Sequence, residues 1–376
     1  MSAVTSSSVG PSKKKPGARG SYRRFPRDFT VLLCLLLSAP LSPAQSSDSL
    51  APGLKPQDAP ATWKALVGIY DYSGYQSPKV RMIILEEGQR LFLQPQGAPM
   101  ERQEIRDADG VAWIDNGDGR SYGYTEQRNS QGVVTALSYL AEFFVRVDPG
   151  ADPSRSYNVT PLTPVEQLRR AALTATPPQE KGPFHKPDLV ELGPLDPAIR
   201  LDIRYATAND FLGVPVYTQA RAFLQRPAAE ALLRVLRKLK PLDYGLLIHD
   251  GYRPWYVTKI FWDATPPEGK IFVADPAQGS RHNRGCAVDL TLYDLKTGQP
   301  VEMTGGYDEM SPRSFPSYPG GTSLQRWHRD LLRRAMESEG FSVYESEWWH
   351  FDYKDWREYG ILNVPFEKLG IGSPAK

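Results

Sequence analysis

The segment ESEWWHFDY, residues 345–353, sets a carboxylate, two tryptophans and a histidine in neighbouring positions near the end of the sequence. Its aromatic content favours a β-strand. On a regular strand Glu347 and His350 would face opposite sides, because successive side chains alternate between the two faces. We therefore predict a local kink at Trp348 and Trp349 that turns both groups to one side. Taken alone, the pattern is equally consistent with ordinary strand packing.

A second cluster of polar groups lies in SRHNRGCAVDLTL, residues 280–292. Asp289 stands between apolar residues on a predicted strand, where an unpaired buried carboxylate is costly. A metal ion would supply the partner, and His282 and His350 would complete a set of two nitrogen donors and one oxygen donor. Three protein ligands and an open fourth position are typical of catalytic zinc. The alternative is that Asp289 points to solvent and His282 is an ordinary loop residue.

Glu347 lies three residues from His350 and is interpreted as a proton acceptor rather than a metal ligand. It would take a proton from metal-activated water and pass it to the leaving amine. In HDGYRP, residues 249–254, Arg253 follows an apolar strand, and its guanidinium is suited to stabilising an oxyanion. The alternative is a structural ion pair with Asp250. The other three histidines are interpreted as non-ligands: His185, His249 and His328. Of these, His185 and His328 are expected at the surface or on a helix face.

The N-terminal residues 1–44 differ in composition from the rest of the chain. Seven lysines and arginines precede the apolar run FTVLLCLLL, and small residues follow it. This order is typical of a secretory signal peptide, and we expect export to the periplasm, with no membrane span left after cleavage. The alternative is an uncleaved anchor or a buried helix. With only Cys34 and Cys286 in the sequence, no disulfide is expected within the mature protein.

The 376 residues, 40% of them hydrophobic, are enough for two domains with real cores. The patterns predict a linker at residues 45–60, a small antiparallel all-β domain at 61–148, a connector with a short helix at 149–186, and an α+β domain at 187–370. The connector helix is predicted to begin with Thr163 as its cap. Helical periodicity places further helices at 227–239 and 322–340. The net charge of +2 belongs to the N-terminal segment, so nucleic-acid binding is not indicated.

Three motifs together resemble one known family. The pattern SxHxxGxAxD, the ExxH pair within EWWHF, and DGYRP resemble the D-alanyl-D-alanine dipeptidases, a family of zinc peptidases, over roughly residues 187–360. RYATANDFLG (204–213) and MTGGYDEMSPRS (303–314) extend the match. The sequence departs from the family pattern at three positions, which concern substrate selectivity rather than the metal site: Asp210, Cys286 and Phe315. Cys286 is interpreted as a packing residue.

The resemblance implies a role for each matching residue. It implies a zinc-peptidase domain with a small antiparallel sheet and flanking helices, and one Zn²⁺ per chain. Asp308 would meet the ammonium group of a dipeptide. The implied site residues are the metal ligands His282, Asp289 and His350, the catalytic residues Glu347 and Arg253, and the substrate-binding residues Tyr205, Ser280 and Asp308.

The expected function is zinc-dependent hydrolysis of D-Ala-D-Ala, a small-molecule substrate. One alternative is a D,D-carboxypeptidase or endopeptidase that acts on peptidoglycan with the same zinc scaffold. Another is a binding protein whose zinc site has lost catalysis, although a binding site has no need for a base at Glu347. An exported enzyme would act in dipeptide scavenging or wall turnover. The sequence does not indicate an oligomeric state.

Overall fold

The computed structural model describes residues 50–74, 80–96, 101–108, 111–115, 121–130, 132–139, 141–148 and 159–370. The predicted signal peptide and the first residues of the predicted linker lie outside the described residues. All described residues belong to one compact unit, Ser47–Lys376. None of the helices in these ranges has both the length and the apolar character that a membrane span requires.

In the first half of the described chain, eight antiparallel strands close into a barrel. Closure comes from pairing of the first strand with the eighth, where Tyr70 lies opposite Arg146. A short helix, α1 (Ala61–Leu66), precedes the barrel. The strands are β1 (Gly68–Tyr72), β2 (Arg81–Glu86), β3 (Leu91–Gln96), β4 (Gln103–Ala108), β5 (Val111–Asp115), β6 (Ser121–Arg128), β7 (Val134–Tyr139) and β8 (Glu142–Arg146).

The interior of this barrel is filled with apolar side chains. Tyr70, Met82, Ile84 and Leu93 are buried in one cluster, as expected for alternate residues of half-buried strands. The antiparallel strands expected within residues 61–148 are present, and the short helix α1 was not predicted. That this region is a domain of its own stays a prediction.

The second half of the described chain mixes helices with antiparallel pairing, in agreement with an α+β peptidase domain. The elements are α2 (Val165–Thr174), β9 (Leu189–Glu191), β10 (Ile199–Leu201), β11 (Phe223–Gln225), α3 (Arg226–Leu239), β12 (Tyr244–Asp250), α4 (Trp255–Ala264), β13 (Ala287–Asp294), α5 (Ser323–Glu337), β14 (Phe341–Tyr344) and β15 (Glu347–Tyr353). The main sheet has the order β10-β12-β13-β15-β14, in which only the pair of β10 and β12 is parallel.

The helix boundaries follow local chemistry. α5 begins at a capping box. The Thr322 hydroxyl oxygen accepts from the Gln325 backbone N–H, and Gln325 Oε1 accepts from the Thr322 backbone N–H. The predicted cap Thr163 is wrong, because α2 begins after Pro164 without a side-chain cap. α4 was not predicted, since it is buried on nearly every face and lacks the apolar–polar alternation of a surface helix.

Candidate active site

Three elements bring the predicted metal ligands together. Asp289 on β13 lies directly opposite His350 on β15 in the antiparallel ladder. His282 belongs to a short 3-10 turn that precedes β13. Gly285 ends that turn with φ +68°, a left-handed conformation that glycine adopts without strain. His282 and His350, which are 68 positions apart in sequence, therefore meet beside the ladder between β13 and β15, inside the sheet rather than at an edge strand.

The three donor atoms form a nearly equilateral triangle. His350 Nδ1 lies 3.0 Å from both His282 Nε2 and Asp289 Oδ1, and His282 Nε2 lies 3.3 Å from Asp289 Oδ1. Ligands of a tetrahedral zinc ion with bonds of 2.0–2.1 Å would be about 3.3 Å apart. All three residues are buried, and their donor atoms lie close together. The donor set fits a single divalent cation.

The outer nitrogen of each histidine ring fixes which nitrogen faces the metal position. His282 Nδ1–H donates to the Gly251 carbonyl oxygen at 2.7 Å. His350 Nε2–H donates to Asp352 Oδ1 at 2.9 Å. Because the outer nitrogens donate, the inward nitrogens are the ones available to a metal ion, an arrangement usual for metal-binding histidines.

Charge within the site also favours a cation. Burial acts to raise the pKa of Asp289, but the neighbouring histidines hold it well below its usual range. Burial acts to lower the pKa of His350, and Asp352 and Asp289 raise it well above its usual value. In the absence of a metal, a proton on His350 supplies the positive charge. Metal binding should therefore release that proton.

Glu347 sits beside the donor triangle at an irregular step of the sheet. Val343 pairs with Phe351, and the next residue of β14, Tyr344, already pairs with Glu347. This is the predicted kink at the two tryptophans. It leaves Glu347 Oε2 at 3.7 Å from His350 Nδ1. Burial raises the pKa of Glu347 to about 7, which suits a group that exchanges protons near neutral pH.

Arg253 makes the ion pair that the sequence left as an alternative. Its Nε and Nη2 lie 2.9 and 2.8 Å from Asp250 Oδ2. It nevertheless lines the cavity of the site, with Nη2 at 3.8 Å from Asp289 Oδ2. Burial acts to lower the pKa of Arg253, but Asp250 holds it well above its usual value. The ion pair therefore fixes a charged guanidinium next to the donor triangle.

The remaining predicted residues line the same cavity of ≈ 360 Å³. Tyr205 donates its hydroxyl hydrogen to Asp308 Oδ1 at 3.1 Å. The other oxygen of Asp308, Oδ2, is buried and has no hydrogen-bond partner among the described residues. Burial, together with the charges of Asp289 and Glu347, raises the pKa of Asp308 well above its usual value. Ser280 is buried, and its Oγ accepts from the His282 amide at 3.2 Å.

Two contributors to the site were missed from sequence. Tyr307 donates to Asp289 Oδ2 at 3.2 Å and stacks on His249, and no sequence signal indicates this contact. Asp352 accepts a hydrogen bond from the outer nitrogen of His350. Because residues two apart on a strand face the same side, the sequence position of Asp352 could have indicated this contact.

The other singled-out residues are not part of the donor triangle and do not line its cavity. His249 packs on an aromatic ring, and His185 is exposed and paired with Glu358. His328 lies on α5 as expected but is buried rather than at the surface. Burial raises the pKa of Cys286 to about 12, so its thiol stays neutral and packs as an apolar group.

The sequence is similar to known peptidases over its second half. The M15 peptidase family model, described as D-ala-D-ala dipeptidase, matches residues 185–366. The D-alanyl-D-alanine dipeptidase of Escherichia coli (strain K12) is 35% identical over 179 residues, which are 48% of this chain and 91% of that protein. Those of Enterococcus faecalis (strain ATCC 700802 / V583) and Streptomyces coelicolor (strain ATCC BAA-471 / A3(2) / M145) are 36% and 35% identical, each over 42% of this chain and 87% of the relative.

Proposed function

This chain belongs to the D-Ala-D-Ala dipeptidase family of M15 peptidases, and on that premise we propose that it hydrolyses free D-Ala-D-Ala with the help of one zinc ion. His282, Asp289 and His350 would hold the ion. The observation that carries the proposal is the triangle of donors 3.0–3.3 Å apart, with the partly buried carboxyl group of Glu347 beside it.

A zinc ion in this position would supply Lewis acidity and make water a better nucleophile near neutral pH. Glu347 accepts the proton of the attacking water and delivers it to the amine that leaves. Its pKa of about 7 allows both transfers without a large energetic cost. Arg253, held by Asp250, presents its positive charge to the oxyanion that develops on the peptide carbonyl.

Asp308 is the feature that favours a free dipeptide. Its buried Oδ2 lacks a protein partner among the described residues, and an ammonium group would both pair with it and lower its raised pKa. A peptide blocked at its N-terminus would leave Asp308 Oδ2 without a partner, which is unfavourable. The peptidoglycan-directed alternative therefore fits this cavity less well. The alternative of an inactive binding protein does not account for Glu347.

The test measures how much D-alanine the full-length protein releases from D-Ala-D-Ala. The assay is run without chelator, with chelator, and with zinc added back after chelation. We expect turnover that chelation abolishes and zinc restores. N-acetyl-D-Ala-D-Ala and a stem pentapeptide should be poor substrates by comparison. Preferential cleavage of the pentapeptide would favour the peptidoglycan-directed alternative, and zinc binding without any turnover would favour the binding protein.

We further propose export to the periplasm, supported by the basic, apolar and small-residue order of residues 1–44. Fractionation of cells that produce the full-length protein tests this, with immunodetection of the processed chain. Confinement of the protein to the cytoplasmic fraction would contradict export.

A further inference from the structure

The outer face of the barrel packs against the peptidase loop that carries Asp308. This loop, residues 302–322, leads into α5 and is called here the 302–322 loop. Ile69, Ile83 and Leu85 alternate with the inward residues of β1 and β2, yet they are also buried, in a separate cluster with Tyr318 of the loop. At these three residues both faces of the two strands are therefore covered, one by the barrel core and the other by the loop.

Backbone pairing joins the same strand to the end of the loop. Leu85 forms a parallel bridge with Gly321, and the Glu86 amide donates to the Gly321 carbonyl at 3.1 Å. The Glu86 side chain is fully buried and accepts from the Ser323 amide at 2.7 Å. Arg326 of α5 donates to the Glu86 carbonyl at 2.7 Å. These bonds attach the C-terminal end of the loop to β2.

A series of buried ion pairs joins the barrel to the middle of the loop. Asp148 follows β8, has a fully buried carboxylate, and pairs with Arg146 at 2.7 Å. Arg313 of the loop places Nη1 at 3.4 Å from Asp148 Oδ1. The same guanidinium lies 3.5 Å from Glu309 and donates to the Thr304 carbonyl at 2.8 Å. Each of these charges has an opposite charge beside it, as buried ions require.

Glu309 is the residue next to Asp308. Its carboxylate accepts from the Gly306 amide at 2.8 Å and from the Ser311 hydroxyl, so it closes the turn in which Asp308 lies. Asp308 adopts φ +58°, a left-handed conformation that is unfavourable for residues other than glycine and that the contacts of Glu309 help to hold. The barrel thus contacts the residues that hold this turn.

We propose that the barrel is a fixed support for the 302–322 loop, and that Asp148 is a positioning residue for Asp308 through Arg313 and Glu309. The proposal rests on the proposed role of Asp308 in binding the substrate ammonium. The barrel lies outside the segment 185–366 that the family model matches, so the support is an addition in this chain to the peptidase portion.

The test compares two asparagine substitutions in the barrel. Asp148→Asn removes the charge at the loop, whereas Asp71→Asn removes a matched charge that pairs with Arg81 at 2.6 Å on the half-exposed barrel surface. We expect Asp148→Asn to raise KM for D-Ala-D-Ala about five- to twentyfold with kcat within about twofold of wild type. Asp71→Asn should leave both unchanged.

A second ligand separates positioning of Asp308 from general damage to the site. Propionyl-D-alanine has the shape of the dipeptide but lacks its ammonium, so its inhibition constant should be the same for wild type and Asp148→Asn. An equal loss of affinity for both ligands, or an unchanged KM for the dipeptide, overturns the proposal. If Asp148→Asn does not fold, Arg313→Lys replaces it and should raise KM in the same selective way; an unchanged KM again overturns the proposal.

Hydrogen–deuterium exchange of residues 303–314 in the full chain makes the test independent of the substrate. Asp148→Asn should speed exchange in this segment, and Asp71→Asn should not. If wild type fails to hydrolyse D-Ala-D-Ala while exchange changes as expected, the proposed function is wrong and the support remains. If exchange is the same in both variants, the support is wrong, whatever the substrate.

Discussion

Glu347 owes its chemistry to burial and to a single irregular step in the sheet. A carboxyl group in water would be ionised and weakly basic at neutral pH, but burial raises the pKa of Glu347 to about 7. The irregular pairing between β14 and β15 keeps it at 3.7 Å from His350. Position and pKa together make it the proton acceptor of the proposed reaction.

Replacing Glu347 with glutamine should therefore remove catalysis without removing the metal site. We expect kcat of Glu347→Gln to fall by about 100- to 10,000-fold, the usual contribution of a general base, with zinc content unchanged. Turnover of D-Ala-D-Ala and metal analysis of the purified protein measure the two effects. Glu345→Gln, at an exposed position two residues away, is the control. Full turnover by Glu347→Gln would show that another group accepts the proton.

Asp352 acts on the metal position through His350. Its carboxylate accepts from His350 Nε2–H, so Asp352→Asn should weaken zinc binding by about 10- to 100-fold, as with other outer partners of metal-binding histidines. Competition with a chromogenic chelator measures this affinity. Glu358→Gln, which removes an exposed partner of His185, should bind zinc like wild type. An unaltered affinity in Asp352→Asn would mean that the hydrogen bond does not orient the ring.

Among the helices, α5 carries the buried histidine His328. Its Nδ1–H donates to the Glu302 carbonyl at 3.1 Å, and its Nε2 lies 3.1 Å from the Tyr244 hydroxyl. Burial lowers the pKa of His328 to about 4, from an ordinary value of 6.5. The neutral ring is therefore part of the packing between α5 and β12.

This pKa predicts a loss of stability in acid. Because the unfolded chain takes up the proton more readily, the contribution of His328 is complete above pH 6.5 and is lost as the pH falls through about 4. We expect His328→Gln to reduce the difference in unfolding free energy between pH 7 and pH 4 by up to about 3 kcal/mol. Urea unfolding at the two pH values measures it. His185→Gln, at an exposed histidine, should not change the difference; the same pH dependence in wild type and His328→Gln would contradict the prediction.

At the scale of the whole molecule, the barrel and the peptidase portion share buried surface. Tyr318 of the 302–322 loop packs against Ile69, Ile83 and Leu85 of the barrel. Its hydroxyl is buried without a hydrogen-bond partner among the described residues. The ring therefore contributes by packing, while the hydroxyl adds a desolvation cost.

Two substitutions at Tyr318 separate these contributions. Tyr318→Ala should lower the free energy of unfolding by about 3–5 kcal/mol, because it opens a cavity between the two parts. Tyr318→Phe should match or exceed wild-type stability, since it removes only the unpaired hydroxyl. Urea unfolding followed by tryptophan fluorescence and by circular dichroism measures both. Destabilisation of Tyr318→Phe as large as that of Tyr318→Ala would mean that the hydroxyl has a partner that matters.

Residue type and local order were enough to predict much of this protein. Residue type and spacing predicted that His282, Asp289 and His350 form one group, which the fold brings together, and helical periodicity predicted α3 and α5. The role of Glu347 as base stays a prediction. A buried carboxylate on a strand demands a partner wherever the strand lies, and an amphipathic pattern specifies its own helix.

Only the tertiary structure decided the rest, because the remaining contacts join residues far apart in sequence. It set Arg253 against Asp250 and also beside the donor triangle, brought Tyr307 to Asp289, and left one oxygen of Asp308 without a protein partner among the described residues. It also covered the outer face of the barrel with the 302–322 loop. Such contacts depend on how sheets and loops pack, and no local pattern in the chain specifies that packing.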